Sequence, residues 1–368
     1  MKKPLNMLIW QWGRRGAGPK TAVEFSKAVT SIPGINTYLS LSTQAEIVIK
    51  ANNLVVDLPV KTYSSIWGYI CRILQAPLII ASLFKFIKIN KINIAICTMP
   101  GPMDLIMAIT LRLLHIPYVV VVHDVHPHPG DGYLFQHFLQ KILIKKSRLT
   151  VTFSKYIYKQ LLAVDYVPTS QIIEGWHPPF SYKINNSQQS VSGTEIKLLN
   201  FGRLLLYKGL DLLEEALDHV SSSKAYRLRI VGHGPQNPLL DRLNARDNVS
   251  VENRWVPEEE IAELMQWADV VILPYREASQ SGIAATALAF GKPILITNVG
   301  GLAEQFKKED LDLVFICEPT INEIAKGLDQ ILQLNFPISR KKHDADQEWK
   351  ELAEHLINEI TNKLDKSP

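Results

Sequence analysis

Arg203 and Lys208 lie in the stretch FGRLLLYKGLDLLEEALDHV, between an apolar run ending at Phe201 and a helical pattern beginning near Gly209. Leu210, Leu213, Leu217 and Val220 fall on one face of that helix. The two cations therefore stand in a loop beside a helix N-terminus, where amides and the helix dipole already favour an anion. A diphosphate satisfies both charges; two solvated loop cations are the plainer alternative. Further on, PYREASQSGIAATALAFGKP sets Ser281 and Gly282 at the start of a helix of small side chains. Their amides and the serine hydroxyl can take a phosphate oxygen. Ala284, Ala285, Ala287 and Ala289 let that helix approach a sheet closely, so the stretch reads as a second phosphate cradle. Between the two, IVGHGP carries Gly232 and Gly234, and Gly202 precedes Arg203. Glycine at such places lets backbone approach a ligand or turn sharply.

The first half offers a different chemistry. VVVVHDVHPHPGDG ends an apolar run with His123, Asp124, His126 and His128. Neutral imidazoles and a carboxylate would suit zinc, but no second cluster of histidines or acids elsewhere completes a hydrolase site. The expected use is one positioned imidazole, His123, donating a hydrogen bond or proton to a sugar or phosphate, with Asp124 beside it; a structural histidine is the alternative. GRRGAGP supplies Gly16 and Gly18 to a loop that can approach a ligand. It matches neither the P-loop nor the GxGxxG pattern, so both common nucleotide fingerprints are absent.

These residues need a scaffold, and the sequence describes one. With 368 residues, 46% apolar and 21% charged, the chain has the composition of a globular protein of about two domains rather than a disordered one. NMLIWQW, TYLSLS, IAICTMP, YVVVVHD and LTVTFS read as strands of the first half; IKLLNFGR, YRLRIVGHG, VSVENRW, DVVILPY, PILITNVGG and LVFICEP as strands of the second. Helical patterns alternate with them, the signature of parallel βαβ units. A polar, aperiodic stretch over 183–195 reads as a linker between domains 1–182 and 196–340. The tail 341–368 reads as an amphipathic helix able to pack back on the first domain. Ligands of such sheets sit at the carboxyl ends of the strands.

Charge is uneven: residues 1–190 hold 20 Lys and Arg against 8 Asp and Glu, a net of +12, while residues 191–368 hold 20 against 28, a net of −8. A first half so basic suits a lipid surface or another polyanion. Nucleic acid is disfavoured because the cations are dispersed, with few interleaved aromatics and no reading motif. No run reaches the roughly 18 apolar residues needed to span a bilayer. Residues 77–93 place Ile79, Ile80, Leu83, Phe84 and Ile87 at helical spacing with Lys85, Lys88 and Lys91 beyond; this is a helix packed on a sheet or a face resting on anionic lipid. Cys71, Cys97 and Cys317 are far apart in apolar stretches and read as buried thiols of a reducing compartment. The N-terminal run is too short for a signal peptide and reads as a first strand.

Taken in order over residues 196–305, GR, KG, VGHGP, VPEEEIAELMQWADVVILPY and AFGKPILITNVGGLAE resemble the retaining glycosyltransferases of the GT-B fold, group 1 or family 4. Over the first half the glycine-rich loop and VVHD fit by type and order only. The resemblance implies an α/β fold of two Rossmann-like domains facing across a deep cleft. It implies transfer of a sugar from a nucleoside diphosphate to a glycan or lipid-linked acceptor with retention, in envelope or exopolysaccharide synthesis, without metal or other cofactor. On matching positions Arg203 and Lys208 look like the diphosphate pair, and His123 like the first-domain histidine near the sugar. One departure stands out. Counting back from Gly291, the two signature glutamates fall at Ala278 and Thr286, and both carboxylates are missing. The chain resembles a subgroup with PYxxxxQSG; Glu277, one residue away, is the substitute expected to act with His123. The expected setting is cytoplasmic, peripheral on the inner membrane face. A relative that binds donor without turnover, and a metal-dependent hydrolase using the histidine loop, are the alternatives.

Overall fold

Apolar runs of the sequence form strands that pair only in parallel, joined by helices. The computed structural model describes residues 4–50, 53–128, 130, 134–182, 195–306, 308–336 and 344–365. The chain divides into two compact units: Met1–Pro127, Gly132–Trp176 and Asp346–Pro368; and His128–Asp131 with His177–Ala345. Of the linker read over 183–195, all but Glu195 lies outside the described residues, as do 337–343 and 366–368.

The first unit runs β1 (Leu5–Gln11), α1 (Ala17–Thr30), β2 (Ile35–Leu41), α2 (Glu46–Lys50), α3 (Ile66–Leu74), α4 (Ala76–Ile89), β3 (Ile94–Cys97), α5 (Asp104–Leu113), β4 (Tyr118–Val122), α6 (Leu134–Lys146), β5 (Leu149–Thr152), α7 (Lys155–Ala163) and β6 (Ile172–Glu174). Its sheet has the order β2-β1-β3-β4-β5-β6. β3 and β4 are buried at every position, as strands covered on both faces are, so they read as unbroken apolar runs. β6 is too short to announce itself. Cys97 is buried at the end of β3, but Cys71, expected to be buried, is exposed on α3 and Cys317 is half-buried.

The second unit runs β7 (Ile196–Phe201), α8 (Leu210–Leu217), β8 (Tyr226–Gly232), α9 (Pro238–Asn244), β9 (Val249–Asn253), α10 (Glu258–Trp267), β10 (Val270–Leu273), α11 (Gly282–Ala289), β11 (Ile294–Thr297), β12 (Val314–Cys317) and α12 (Ile321–Leu332), in the order β12-β11-β10-β7-β8-β9. Alternation along its strands splits the core into two layers. Leu198, Ile272 and Leu295 pack with Leu213, Leu243 and Leu328 of α8, α9 and α12. Leu199, Val271 and Ile296 pack with Met265 and Ala287 of α10 and α11. The last helix, α13 (Ala345–Asp365), belongs to the first unit: His355 Nε2 donates to the Glu174 carbonyl and Lys363 Nζ to that of Ser170, both at 2.8 Å.

Each sheet reverses its strand order once, between β1 and β3 in the first and between β7 and β10 in the second. Loops on either side of such a reversal part and leave a crevice at the carboxyl ends. In the second unit the loops after β7 and β10 are then drawn together at their bases. Gly209 takes the left-handed conformation (φ 69°, ψ 27°), and a β-carbon on it would lie 1.8 Å from the Pro274 carbonyl oxygen. Gly209→Ala combines a left-handed penalty of about 1–2 kcal/mol with that overlap, so it is expected to lower the second unit's melting midpoint by at least ~4 °C. Calorimetry would measure this, and an unchanged midpoint would mean that the two loops are free to separate.

Candidate functional site

The loop after β7 begins at Gly202, carries Arg203, and closes in a 3-10 turn, Leu206–Lys208, before Gly209 caps α8. Tyr207, buried in this turn, is its hub. Arg203 Nη2 donates to the Tyr207 hydroxyl at 2.7 Å, and Lys208 Nζ lies 4.9 Å from the ring centroid. The Tyr207 carbonyl receives the amides of Arg276 (2.8 Å) and Glu277 (3.4 Å) from the loop after β10. Lys208 also sits 3.6 Å from the centroid of Tyr275. A cation over aromatic faces is stabilised by the ring quadrupole, by about 2 kcal/mol where water is excluded. Arg276 in turn pairs with Asp211 in the first turn of α8, Nε to Oδ1 3.2 Å. Burial pushes the Tyr275 hydroxyl up to about 12, so it stays neutral.

Tyr275 links this loop to the second cradle, its hydroxyl 3.5 Å from Ser281 Oγ. Ser281 is the N-cap of α11 and accepts the Ala284 amide on its hydroxyl oxygen at 3.3 Å. Its own amide, expected to meet a phosphate, instead donates to Gln305 Oε1 at 2.8 Å, while Gln305 Nε2 donates back to the Ser281 carbonyl at 3.1 Å. What α11 offers an anion is the Ser281 hydroxyl proton and the amides of Gly282 and Ile283, which have no intrahelical acceptor. Gln305, Tyr207 and Tyr275 were not foreseen as parts of the site. The tyrosines adjoin KG and follow the proline of PY, which is a local signal, but the Gln305 contact spans 24 residues and has none.

Gly232 and Gly234 stand where two loops meet closely. A β-carbon on Gly232 would lie 1.5 Å from the Gly202 carbonyl oxygen, and one on Gly234 would lie 2.2 Å from that of Leu204. These glycines admit the neighbouring loop's backbone. Gly202 is likewise closed against Ile283, whose Cδ1 is 2.7 Å from the site of a β-carbon. At the positions of the missing glutamates, Ala278 is buried in the core, and Thr286 is buried with its hydroxyl donated to the Gly282 carbonyl at 2.7 Å. Glu277 is exposed beside Tyr207, its Oε2 3.3 Å from His128 Nδ1. His128 stacks on the Tyr207 ring, centroids 4.6 Å apart at 12°; a residue of the histidine loop thus belongs to the second unit.

In the first unit, His123 is buried at the end of β4, with its ring edge-on to Phe153. Its Nε2 lies 2.8 Å from the Thr98 carbonyl, an acceptor only, so Nε2 carries the proton and Nδ1 is left as an acceptor. The ring cannot give that proton to a sugar while it holds Thr98. His126 lies against His137, centroids 5.9 Å apart. The three imidazoles of the loop thus serve three different neighbours, and among the described residues no three His, Cys, Asp or Glu side chains form a group that could hold a metal. Asp124 accepts the Gln140 side-chain amide on its carbonyl at 2.6 Å. Gly16 caps α1 with φ 77° and open space around it, whereas Gly18 is closed against Gln11 and Met99. Met99, Thr98 and Gly101 belong to the loop after β3, and Asp104 closes that loop by accepting the Gly101 amide at 2.6 Å and the Cys97 thiol at 3.5 Å. Arg203, Lys208, Glu277, Ser281, Gly282, Gly202, Gly232 and Gly234 are gathered in the second unit; His123, Asp124, Gly16 and Gly18 stand at the carboxyl ends of the first sheet.

Residues 195–334 match the model of the family described as glycosyl transferases group 1. The chain is similar to an uncharacterized glycosyltransferase of Methanocaldococcus jannaschii, 24% identical over 67% of this chain and 70% of that one. It is 26% identical to the GDP-mannose:glycolipid 4-beta-D-mannosyltransferase of Xanthomonas campestris pv. campestris over 52% of each, about half that protein's length. Among solved structures, HepE of Anabaena, crystallised with UDP and glucose, superposes with a TM-score of 0.66 at 14% identity, covering 98% of both chains. That likeness shows the fold: two Rossmann-like units of the GT-B type.

Two buried groups of the first unit titrate in opposite senses. Burial holds His123 below its ordinary 6.5, so the unfolded chain binds more protons there; the stability this lends is full above about pH 6.5 and is lost as the pH falls. Burial pushes Asp104 up from 3.8 to about 7; the folded state binds more protons between those values, and its contribution is full at low pH and lost as the pH rises toward 7. Asp104→Asn cannot ionise, so it is expected to gain on the wild type by on the order of 2 kcal/mol between about pH 5 and about pH 8. Urea unfolding at each pH measures the gain, and a difference independent of pH would show a carboxyl already ionised in the fold.

Proposed function

We propose that the chain is a glycosyltransferase of the group 1 type, dependent on a nucleotide-linked sugar, and that it moves a hexosyl group from a UDP- or GDP-sugar to a hydroxyl of a glycan or lipid-linked acceptor, with retention at the anomeric carbon. The observation that carries this reading is Tyr275. It lies under the Lys208 cation and touches Ser281 at the start of α11, so one buried ring joins the Arg203–Lys208 loop to the free amides of a helix N-terminus. Two cations and a helix dipole at one strand-order reversal suit a diphosphate.

In the proposed transfer the acceptor oxygen bonds to the anomeric carbon on the face from which the diphosphate departs. The bond between that carbon and the phosphate oxygen breaks, its electron pair stays on the leaving oxygen, and the acceptor's proton passes to that oxygen. The protein supplies charge for the leaving group, from Arg203, Lys208, the Ser281 hydroxyl and the Gly282 amide, and alignment for the two substrates. Glu277, at the edge of the Tyr207 turn, orients the sugar. His123 acts as a neutral ring that fixes the Thr98 loop and presents Nδ1 as an acceptor. No metal or other cofactor enters, since the cations already counter the diphosphate. The base is left open because the Xanthomonas relative is named for GDP-mannose and the Anabaena neighbour was solved with UDP. The proposed setting is envelope or exopolysaccharide synthesis at the cytoplasmic membrane face, supported by the +12 of residues 1–190.

A second reading, a binding subunit without turnover, is favoured by the burial of Ala278 and Thr286 where the family places its acids. Calorimetric titration with UDP, GDP and their common sugar conjugates separates the cases. Each loss of a charged phosphate contact weakens binding by roughly tenfold or more, so Arg203→Ala with Lys208→Ala is expected to weaken nucleotide binding by about a hundredfold in a folded protein. Binding with slow release of nucleoside diphosphate from the sugar conjugate marks a transferase; binding with no release marks the subunit. Failure of the folded wild type to bind either nucleotide sinks both.

A further inference from the structure

α3 breaks the rule that every helix on a sheet buries an apolar stripe. Its sequence, IWGYICRIL, sets Ile66, Trp67, Ile70 and Leu74 on the side away from Gly68 and Arg72, yet none of its residues is buried. Trp67 is 78% exposed, Leu74 76% and Ile66 72%, with Ile70 and Ile73 exposed beside them. The helix is nonetheless well made. Ser65 caps it, accepting the Gly68 amide at 3.1 Å, and Tyr69 anchors it through the Tyr63 ring (centroids 5.0 Å) and the Pro102 carbonyl (3.4 Å). A 64° bend separates it from α4, which buries only Leu83 and Ile87 and leaves Leu78, Phe84 and Ile89 outside.

The charge of this region identifies what covers it. Residues 58–103 contain Lys61, Arg72, Lys85, Lys88 and Lys91 and not one Asp or Glu. Lys88 lies over the exposed Phe84 ring, 5.5 Å from its centroid, a cation resting on apolar surface with its head outward. A second copy is a poor occupant, because a two-fold contact sets the patch against itself and would bring Arg72, Lys85 and Lys88 against like charges. Neither helix alone is long and apolar enough to cross a bilayer, and although the pair together reaches that length and composition, the 64° bend breaks it. An apolar face with an exposed tryptophan and a border of lysines matches the interface of an anionic membrane, tryptophan at the headgroup level and cations among the phosphates.

We propose that α3, with the adjoining outer face of α4, is a membrane-docking element that lies in the interface of an anionic bilayer through Trp67, Ile70 and Leu74, held by Arg72, Lys85 and Lys88. This rests on the reading of the protein as peripheral to a membrane and assigns that attachment to one element that the overall charge does not identify. The test is co-sedimentation with vesicles of mixed phosphatidylglycerol and phosphatidylcholine, and with phosphatidylcholine alone, for the full chain and for a Trp67→Ser, Ile70→Ser, Leu74→Ser triple variant. Nucleotide binding by the second unit and the melting curve report folding of both proteins, and these exposed side chains leave them unchanged. The expected result is wild-type binding to the anionic vesicles, weakened at least tenfold in the variant and at least tenfold by loss of the anionic lipid, with Trp67 fluorescence quenched by brominated lipid and spared in Trp67→Phe. A wild type that binds and a variant that binds equally would falsify the docking element while sparing the peripheral reading. No binding by the folded wild type overturns both. A wild-type dimer that the triple substitution dissociates, with no lipid quenching, assigns the face to a second copy and overturns the proposal.

Discussion

The contact of Gly209 with the Pro274 carbonyl is the constraint from which the rest of the site follows. Because no β-carbon fits between them, the turn after β7 is pressed onto the loop after β10, and the side chains on either side have one way to meet. Lys208 is laid over Tyr275, the Tyr207 carbonyl takes the Arg276 and Glu277 amides, and Arg276 reaches Asp211. A bound anion would therefore meet cations already oriented by backbone packing, and little side-chain entropy is left to lose on binding, which is what preorganisation means in energetic terms. Gly232 and Gly234 extend the same device to the next strand, admitting the carbonyls of Gly202 and Leu204.

The departure from the paired-glutamate pattern is structural as well as chemical. Thr286 is buried in α11 and spends its hydroxyl on the helix's own carbonyl, and Ala278 belongs to the core. A carboxylate at either position would be buried without a ready partner, at a penalty of several kcal/mol, about the effective burial penalty of one ion. The small-residue helix is thus consistent with its surroundings, and Gln305 compensates at its start by bonding both backbone groups of Ser281. The acid nearest the expected place, Glu277, stands outside the core and engages His128, a residue that reaches this unit from the other half of the sequence.

Much of this was legible in the residues, and the gaps have physical causes. Buried parallel strands such as YVVVV are continuous apolar runs, and the cation pair beside Gly209 lies within one βα unit, so local pattern suffices for both. α3 escaped because its nine residues make only about two and a half turns, too short a window for a helical period to stand out. The short β6 gave no run. Gln305, the Tyr207 hub and the place of His128 arise from contacts between residues distant in sequence, which single-sequence reasoning does not reach. In the histidine loop a single positioned imidazole, His123, was expected to give a hydrogen bond or proton to a ligand; its Nε2 proton is held by Thr98, a contact 25 residues away in sequence, while His126 and His128 turn to other neighbours.

On the proposed reading, charge would separate two kinds of anion recognition in one chain. Residues 191–368 carry a net of −8, so a nucleoside diphosphate is not drawn there by the overall field. Several of those acids are paired: Glu214 with Arg242, Asp218 with Arg246, Glu252 and Glu260 with Arg254. Beyond a Debye length of about 8 Å in physiological salt such surface charges are largely screened, and what a phosphate would meet is local: Arg203, Lys208 and the first amides of α11. The excess of +12 in residues 1–190 is spread over many exposed side chains and acts by its sum, the form of charge that suits an extended surface and weakens with salt. A short-range, preorganised cradle and a diffuse, salt-sensitive field would answer to different partners. Together they would let the same chain hold a soluble donor and meet an acceptor confined to a membrane.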